Sequence, residues 1–313
     1  MNHFRLVGMS CLVPMQDGDT FPKRRQSMRI GMVFEGGGMR GLYTAGVLDS
    51  LMTAQIPVDE IVAVSAGALF GANYLSGQIG RAWRYNRRYL GDKRYMSLSS
   101  WLKTGNYVNK EFAYYQVPMI LDPFDNEQFK ASKTRFHAVV THVASGRAEY
   151  ALIEDVFTQM EVLRASSALP FVSKMIQLDA SPCLSGGAYL DGGISDSIPV
   201  HYARQLGVDK LIVVLTRPAS YRKSTHSNPF YSMFYHRFPA LVQALKERNI
   251  RYNQTLKQIE NLEAQGELFA IRPSAHLKVG RFESDIAVLE SLYNLGRQDG
   301  RNQINPLKIY LQM

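Results

Sequence analysis

Three separated segments of the chain carry residue types that could act together on a bound substrate. The first is the glycine-rich stretch Gly36-Gly37-Gly38-Met39-Arg40-Gly41, the second is Ala63-Val64-Ser65-Ala66-Gly67, and the third holds Asp191 among glycines. A glycine turn can present backbone N–H groups to an anion, a serine hydroxyl can act as a nucleophile, and a carboxylate can accept its proton. These segments are therefore candidates for one catalytic site.

The glycine-rich stretch lies between a predicted strand at residues 29–34 and a predicted helix that begins at Gly41. Backbone N–H groups at such a turn, beside the positive end of a helix, bind anions. One fitting anion is the pyrophosphate of a dinucleotide, because Gly36, Gly38 and Gly41 satisfy the pattern G-x-G-x-x-G. The other is the oxyanion that forms during acyl transfer. The glycines alone agree with both ligands.

A dinucleotide site also requires an acidic residue at the C-terminal end of the second strand, where it binds the ribose. Asp59 and Glu60 have about the right separation from the glycines, but they precede the strand pattern at residues 61–64. They lie at the wrong end of that strand. The residue that follows the strand is Ser65, which favours the oxyanion over the pyrophosphate.

Ser65 follows the apolar run Ile-Val-Ala-Val and precedes a helical pattern. This setting is typical of a nucleophile elbow, in which a tight turn between strand and helix exposes the serine hydroxyl above the sheet. The usual pattern G-x-S-x-G has glycine on both sides, whereas this chain has Ala63 and Gly67. The alternative interpretation is a serine that caps the N-terminus of a helix.

A serine hydroxyl needs a base near neutral pH. Histidines follow Ser65 in the sequence, but none stands in a loop after a strand with an acidic residue before it, as a Ser–acid–His triad would require. Asp191 lies in the run Gly186-Gly187-Ala188-Tyr189-Leu190-Asp191-Gly192-Gly193, whose glycines allow a close approach to another loop. A partly desolvated carboxylate can accept the serine proton directly. On spacing alone, an ordinary turn aspartate is an equal alternative.

The elements that must position these residues alternate between strand and helix patterns. Strands are predicted at residues 29–34, 61–64, 136–143, 148–152, 211–216 and 268–273, with a hairpin joining the third and fourth. An amphipathic helix is predicted over residues 239–263. The alternation predicts an α/β fold with a mostly parallel sheet covered by helices. We expect residues 1–27 to form a poorly ordered leader and residues 28–313 to form one domain.

The combination of Gly-Gly-Gly-Met-Arg-Gly, Val-Ser-Ala-Gly and Asp-Gly-Gly, in this order, resembles the patatin-like phospholipase family, specifically its bacterial members. The resemblance covers roughly residues 28–216. It implies a three-layer α/β/α fold and a Ser–Asp dyad, without histidine, that cleaves acyl esters. It also extends to residues 165–171, which look like the small-residue segment ending in a proline turn that precedes the aspartate loop in the family.

Under this resemblance, Ser65 corresponds to the nucleophile and Asp191 to the base. The oxyanion hole corresponds to Gly36, Gly37, Gly38, Met39, Arg40 and Gly41, and Arg40 occupies a basic position that supports the loop or stabilises charge. Family members often have Asn-Asn after Asp-Gly-Gly, whereas this chain has Asp196-Ser197. Asp196 is therefore a rival base, and the flanking double glycine favours Asp191.

The net charge of +9 favours contact with an anionic partner. Residues 81–96 interleave arginine and lysine with tryptophan and tyrosine, a pattern that favours a solvated helix face with its aromatic side chains packed inward over contact with an anionic membrane surface or with nucleic-acid phosphates. We expect no nucleic-acid partner, no cofactor and no metal site. Cys11 and Cys183 are too few for a disulfide framework, and no run is long enough to span a bilayer. These observations favour a cytoplasmic location, with peripheral contact at the inner membrane surface as an option.

The sequence thus predicts a hydrolase that cleaves carboxylic esters of phospholipids, lysophospholipids or related lipids through an acyl-Ser65 intermediate. Two alternatives remain open. One is a catalytically silent lipid-binding or regulatory protein on the same fold, which Ala63 and Asp196 motivate. The other is a nucleotide-binding protein that uses the glycine loop at residues 36–41.

Overall fold

The computed structural model describes residues 28–226 and 228–313; the predicted leader at residues 1–27, with Cys11, lies outside the described residues. Within the described part, eight strands form one sheet: β1 (Ile30–Phe34), β2 (Glu60–Val64), β3 (Arg135–His142), β4 (Ala148–Ile153), β5 (Ile176–Leu178), β6 (Gly187–Asp191), β7 (Lys210–Val214) and β8 (Leu268–Ile271). Their order across the sheet is β5-β6-β3-β2-β1-β7-β8, and β4, which lies outside this order, pairs with β3.

The centre of the sheet is parallel. Strands β3, β2, β1, β7 and β8 run in the same direction, whereas β4 and β6 are antiparallel to β3, and β5 is antiparallel to β6. Every residue of β1 and β2 is buried, as expected for parallel strands that are covered on both faces. The predicted hairpin is present as β3 and β4.

Helices cover both faces. Met32 and Phe34 pack into one apolar core and Val33 into the other, because successive side chains of a strand point to opposite faces. The helices are α1 (Gly41–Thr53), α2 (Ala66–Leu75), α3 (Arg81–Tyr89), α4 (Leu98–Thr104), α5 (Asn126–Ala131), α6 (Met160–Ser166), α7 (Val200–Gln205), α8 (Phe230–Phe234), α9 (Pro239–Ala264) and α10 (Ile286–Tyr310). Two cores on either side of one sheet form the three layers that the sequence predicts.

The closest helix packing joins α1 to α10, far apart in the sequence. A Cβ atom on Gly46 of α1 would lie 2.2 Å from the Tyr293 carbonyl oxygen, and one on Gly296 of α10 would lie 2.1 Å from the Tyr43 carbonyl oxygen. Both contacts are too short for any side chain, so the two backbones touch directly. Tyr43 also donates a hydrogen bond to Asp299 of α10 at 3.0 Å. The last helix is therefore anchored to the helix that follows the glycine-rich turn.

Candidate active site

Ser65 lies in the turn between β2 and α2, where its backbone adopts φ 55° and ψ −124°. Non-glycine residues rarely adopt a positive φ, and such strain is found mainly at functional sites. The turn is tight, because a Cβ atom on Gly67 would lie 2.8 Å from the Glu35 carbonyl oxygen. The Ser65 N–H donates to Ser166 Oγ at 2.9 Å, which fixes the turn from the side of α6. Ser65 thus lies in a tight, strained turn between a strand and a helix.

The register of β3 explains how Asp191 reaches Ser65 across 126 positions of sequence. Val64, the last residue of β2, is opposite Val139 of β3, and Asp191, the last residue of β6, is opposite the next residue, Val140. The C-terminal ends of β2 and β6 therefore lie at neighbouring positions on the two sides of β3. The Ser65 hydroxyl donates a hydrogen bond to Asp191 Oδ2 at 2.6 Å.

Asp191 is buried, and its other carboxylate oxygen is also occupied. The Gly193 N–H donates to Asp191 Oδ1 at 2.7 Å, while Thr141 Oγ1 donates to the Asp191 carbonyl oxygen at 2.8 Å. Burial raises the pKa of the Asp191 carboxyl, and the nearby Arg248 guanidinium and the Ser65 hydrogen bond oppose that rise. Arg248 is held in place by donating from Nε to the Gly193 carbonyl oxygen at 2.5 Å. The carboxylate is thus desolvated but faces a positive charge.

The rival carboxylate Asp196 has a different partner. Its Oδ2 accepts a hydrogen bond from the Tyr150 hydroxyl at 2.9 Å, and burial raises the pKa of its carboxyl. Among the described residues, no histidine forms a hydrogen bond with Ser65 or Asp191; the buried His137 instead lies 3.0 Å from Glu60. Asp191 is thus the acidic side chain that the structure brings into contact with Ser65.

The glycine-rich stretch passes beside Ser65, as its predicted position requires. Gly38–Arg40 form one turn of 3-10 helix that leads directly into α1. The Met39 N–H donates to the Arg281 carbonyl oxygen at 3.0 Å, so this donor is occupied. In the described part of the chain, the N–H groups of Gly37 and Gly38 have no acceptor. A Cβ atom on Gly36 would lie 3.0 Å from Ser65 Cβ, which shows how closely this turn approaches the serine.

The acidic pair considered for a nucleotide site has structural partners at the other end of the sheet. Asp59 Oδ2 accepts from the Ile30 N–H at 2.7 Å, and the buried Glu60 carboxylate forms an ion pair with Arg29 at 2.7 Å. Both residues lie where β1 and β2 begin, as the sequence indicates. Neither is near the glycine-rich turn, so a dinucleotide at this turn would lack its acidic partner.

Two cavities meet at Ser65. One, of about 1000 Å³ including its open mouth, is mainly apolar and is lined by side chains such as Phe70, Tyr114, Val117 and Leu163. The other, of about 810 Å³, is polar and contains Asp191, the glycine-rich turn and several arginine side chains. Ser65, Gly38, Leu169 and Arg281 line both cavities. The serine hydroxyl therefore stands between an apolar space and a charged one.

The basic and aromatic segment at residues 81–96 contributes to the apolar cavity. Tyr85, Tyr89 and Tyr95 are buried, and Tyr85 and Tyr95 line the cavity, while Arg84 and Arg88 are exposed. The aromatic side chains are thus packed inward, which is the interpretation that the sequence pattern favours. The π-helix Phe112–Leu121, which the sequence analysis missed, supplies further lining residues.

Several residues of the site are not identified by any pattern in the sequence. Ser166 lies in the predicted small-residue segment at 165–171, but nothing in the sequence marks its hydrogen bond to Ser65. Arg248, Lys223 and Arg281 come from three separate parts of the chain and meet only in the folded structure. Within residues 28–226 and 228–313, no group of three or more His, Cys, Asp or Glu side chains is arranged to hold a metal ion.

The fold and the site together define a class of α/β proteins, in which a serine at a strand–helix turn faces a buried aspartate beside a glycine-rich turn. The model of the patatin-like phospholipase family matches residues 32–204, more than half of the chain. The chain belongs to the patatin-like phospholipase family, and the predicted resemblance and fold class are confirmed. Residues 238–312 match a second family model, described as a domain of unknown function, DUF6363.

The chain is also similar to curated relatives and, in its fold, to a solved structure. The chain is 30% identical over 290 residues to the uncharacterized protein YjjU of Escherichia coli K12, covering 88% of this chain and 77% of that protein. It is 26% identical to the lysophospholipase nte1 of Aspergillus niger, covering 89% of this chain but only 18% of that longer protein. The human GIVD cytosolic phospholipase A2 has a similar fold, with a TM-score of 0.50, 10% identity, and coverage of 94% of this chain and 63% of that one.

The described residues contain no helix that is both long and apolar enough to cross a membrane.

Proposed function

We propose that the protein hydrolyses acyl esters of lipids, with Ser65 as the nucleophile and Asp191 as the base. The observation that carries this proposal is the 2.6 Å hydrogen bond from the Ser65 hydroxyl to the buried Asp191 carboxylate. Membership of the patatin-like phospholipase family supports the substrate class, and the similarity to the lysophospholipase nte1 of Aspergillus niger points the same way.

The first half of the reaction forms an acyl-enzyme. The Ser65 proton passes to Asp191 Oδ2 while Ser65 Oγ bonds to the ester carbonyl carbon, and the carbonyl oxygen becomes negatively charged. The free N–H groups of Gly37 and Gly38 are the donors that can stabilise this oxyanion. The carbon–oxygen bond to the alcohol then breaks, and the departing oxygen takes the proton from Asp191. Acyl-Ser65 remains.

The second half returns the enzyme to its starting state. A water molecule gives a proton to Asp191 and attacks the acyl carbon. The bond to Ser65 Oγ breaks, Oγ takes the proton back from Asp191, and the fatty acid leaves. Asp191 acts as base and acid in turn, which suits a carboxyl whose pKa is raised by burial.

The apolar cavity supports a long acyl chain as the group that is transferred. Its walls combine the buried Phe70, Tyr85 and Phe124 with aliphatic residues of the π-helix and α6. Burial of each methylene group of the chain contributes about 0.8 kcal/mol. The cavity is therefore suited to fatty acyl groups, and we expect turnover to rise from short to medium chains.

Substitution of the two central residues tests the proposal. We expect Ser65→Ala and Asp191→Asn each to reduce kcat/KM for a short-chain ester and for a lysophospholipid by about 10³-fold or more. Asp196→Asn is the matched control, because the half-buried Asp196 is also a hydrogen-bonded carboxylate but accepts from Tyr150 rather than from Ser65. Retained turnover in Ser65→Ala would refute the proposal. Liposome binding without hydrolysis by the unaltered protein would instead favour the silent lipid-binding alternative.

We also propose peripheral contact with an anionic membrane, through apolar side chains that α4 and α8 expose near the cavities. Leu102 is 71% exposed and Phe234 is 61% exposed. Both helices contact Phe171, since Trp101 donates to the Phe171 carbonyl oxygen and Phe234 packs against its ring. In liposome flotation we expect Leu102→Ser and Phe234→Ser to bind anionic vesicles less; unchanged flotation would contradict this.

We propose a cytoplasmic location for the protein, which cell fractionation would test.

A further inference from the structure

The polar cavity beside Ser65 contains a large excess of positive charge. Its lining includes the basic side chains Arg40, Arg217, Lys223, Arg248 and Arg281 but only two carboxylates, Glu35 and Asp191. The cations come from the glycine-rich turn, the segment after β7, helix α9 and the loop before α10. Convergence of five cations from four parts of the fold on one cavity is costly unless an anion binds there.

The two carboxylates offset only part of the positive charge of the five basic side chains, and their oxygens already accept hydrogen bonds from other groups. The Glu35 carboxylate accepts from the Tyr252 hydroxyl at 2.8 Å and from the Thr216 N–H at 2.6 Å. Asp191 accepts from Ser65 and from the Gly193 N–H. Among the described residues, neither Lys223 nor Arg281 forms an ion pair with a carboxylate.

Two of these basic side chains are poorly satisfied by the protein's own groups. Arg40 Nε is buried and has no hydrogen-bond partner among the described residues. The Lys223 ammonium lies 3.5 Å from the centre of the Tyr252 ring. Burial, together with the charges of Arg248, Arg281 and Arg40, lowers the pKa of Lys223 to about 6, although Glu35 opposes this shift. An anion in the cavity would relieve both the repulsion and the desolvation.

The wall that carries Lys223 is held firmly against α9. Asn253 of α9 accepts from the Lys223 N–H at 2.9 Å and donates to the Lys223 carbonyl oxygen at 2.8 Å. Asn249 donates to the Ser224 carbonyl oxygen at 2.7 Å, and Arg222 forms an ion pair with Glu260 at 2.5 Å. The position of the lysine is thus set by the fold before any ligand arrives, as binding sites require.

The location of the cavity determines which part of a substrate would enter it. Ser65 lies at the junction of the two cavities, so an acyl chain in the apolar cavity places the alcohol half of the ester towards the polar one. A single carboxylate would neutralise only part of the excess positive charge. A phosphate group carries up to two negative charges and accepts hydrogen bonds on several oxygens, which matches converging arginine and lysine side chains.

We propose that the polar cavity binds a phosphate group on the alcohol half of the ester, so that Lys223 and Arg281 make the enzyme selective for lysophospholipids over neutral acylglycerols. This inference rests on the proposed ester hydrolysis, although the phosphate site itself does not require turnover. Lys223 and Arg281 would act as specificity residues, since neither contacts Ser65 Oγ or Asp191 in the described structure.

Binding without catalysis is measured on the full chain carrying Ser65→Ala, by calorimetric titration with sn-glycerol 3-phosphate. We expect Lys223→Met and Arg281→Met, each added to Ser65→Ala, to weaken binding at least tenfold. Lys246→Met is the matched control, because it makes the same substitution at an exposed lysine on the same helix as Arg248. Titrations with inorganic phosphate and with glycerol separate a free-anion site from a headgroup site.

Selectivity is measured with the active enzyme on two substrates of the same acyl chain, a 1-acyl-glycerol 3-phosphate and the corresponding 1-acylglycerol. We expect Lys223→Met and Arg281→Met to lower the ratio of the two kcat/KM values at least tenfold, mainly through KM for the phosphorylated substrate. Lys223→Arg should retain most of the ratio, and Lys246→Met all of it. Circular dichroism and thermal unfolding confirm that each variant is folded.

Several outcomes would overturn the inference. An unchanged ratio in both folded Met variants would do so, as would undiminished binding of glycerol 3-phosphate to them. Binding of inorganic phosphate but not of glycerol 3-phosphate would assign the cavity to a free anion and also contradict the headgroup site. If the wild type hydrolyses no ester but the binding pattern holds, the proposed function fails and the phosphate site stands.

Discussion

At the scale of single residues, the site combines a desolvated carboxylate with an arginine close to it. Because Asp191 must be ionised to accept the Ser65 proton, activity should rise with pH through its raised pKa. Arg248 lowers that pKa by its charge. The position of the acid limb of the rate profile therefore depends on burial, which raises the pKa of Asp191, and on Arg248, which lowers it.

We predict that the acid limb of log kcat/KM against pH lies above the ordinary aspartate pKa of about 3.9. Arg248→Met should move this limb to higher pH, because the largest of the effects that oppose burial is then removed from the pKa of Asp191. Lys246→Met should leave the limb in place. A limb that stays at the same pH in Arg248→Met would show that the titrating group is not Asp191.

Lys223 provides a second prediction at this scale, through protein stability. Its pKa is lowered to about 6 in the folded protein, whereas an unfolded lysine has a pKa of about 10.4. The unfolded state binds more protons between these two values, so the lysine destabilises the fold at pH 7 and the penalty fades towards pH 10.

We expect Lys223→Met to raise the free energy of unfolding at pH 7 by about 1 kcal/mol, a modest value because the side chain is only half-buried and water screens part of the effect. Urea unfolding at pH 7 and pH 9.5 measures it. A variant less stable than the wild type at pH 7 would contradict this assignment of the pKa.

At the scale of elements, the sequence predicts most of the central strands because parallel strands buried on both faces appear as continuous apolar runs. The tight turn at Ser65 is also predictable, because only small residues can flank a turn in which the backbones come so close. The contact between Ser65 and Asp191 cannot be predicted in this way, because it depends on the register of the sheet. The last residue of β6 is opposite the residue of β3 that follows the partner of the last residue of β2. The π-helix that contains Pro118 also has no simple periodicity to reveal it.

The crossing of α1 and α10 gives a prediction about these elements. Gly296→Ala should destabilise the protein by about 2–3 kcal/mol, because the new methyl group would lie 2.1 Å from the Tyr43 carbonyl oxygen and force the helices apart. Gly91→Ala is the control, since nothing lies within 4 Å of a Cβ atom at that position. Thermal unfolding compares the two variants, and equal melting temperatures would show that the helices do not pack this closely.

At the scale of the whole molecule, the two family matches divide the chain, but the structure does not separate along that division. Strand β8, which lies in the second match, extends the same sheet through β7, and α10 packs on α1 of the first match. Helix α9 also supplies Arg248 and Tyr252 to the polar cavity. These contacts support the proposal that residues 28–313 form one domain.

We therefore predict one cooperative unfolding transition for the full chain. Far-UV circular dichroism and tryptophan fluorescence, followed in urea, should give coincident curves. Both Trp83 and Trp101 lie in the first family match, whereas α9 and α10 contribute much of the helical signal. Two separated transitions would indicate that the C-terminal helices form an independent unit.

The convergence of charge on the polar cavity is also a property of the whole molecule. A net charge of +9 indicates only that an anionic partner is favoured, and the sequence places its clearest basic segment at residues 81–96. In the structure, Tyr85 and Tyr95 of that segment line the apolar cavity, whereas basic side chains from four other segments lie together next to Ser65. Long-range packing, which no local pattern records, determines which charges share a cavity.

The most direct test of the central claim is to locate the nucleophile by mass spectrometry after reaction with an alkyl fluorophosphonate. We predict a single adduct on the peptide that contains Ser65, no adduct in Ser65→Ala, and labelling at least 100-fold slower in Asp191→Asn, because the hydroxyl then lacks its base. An adduct on another serine, or full labelling of Ser65→Ala, would contradict the account.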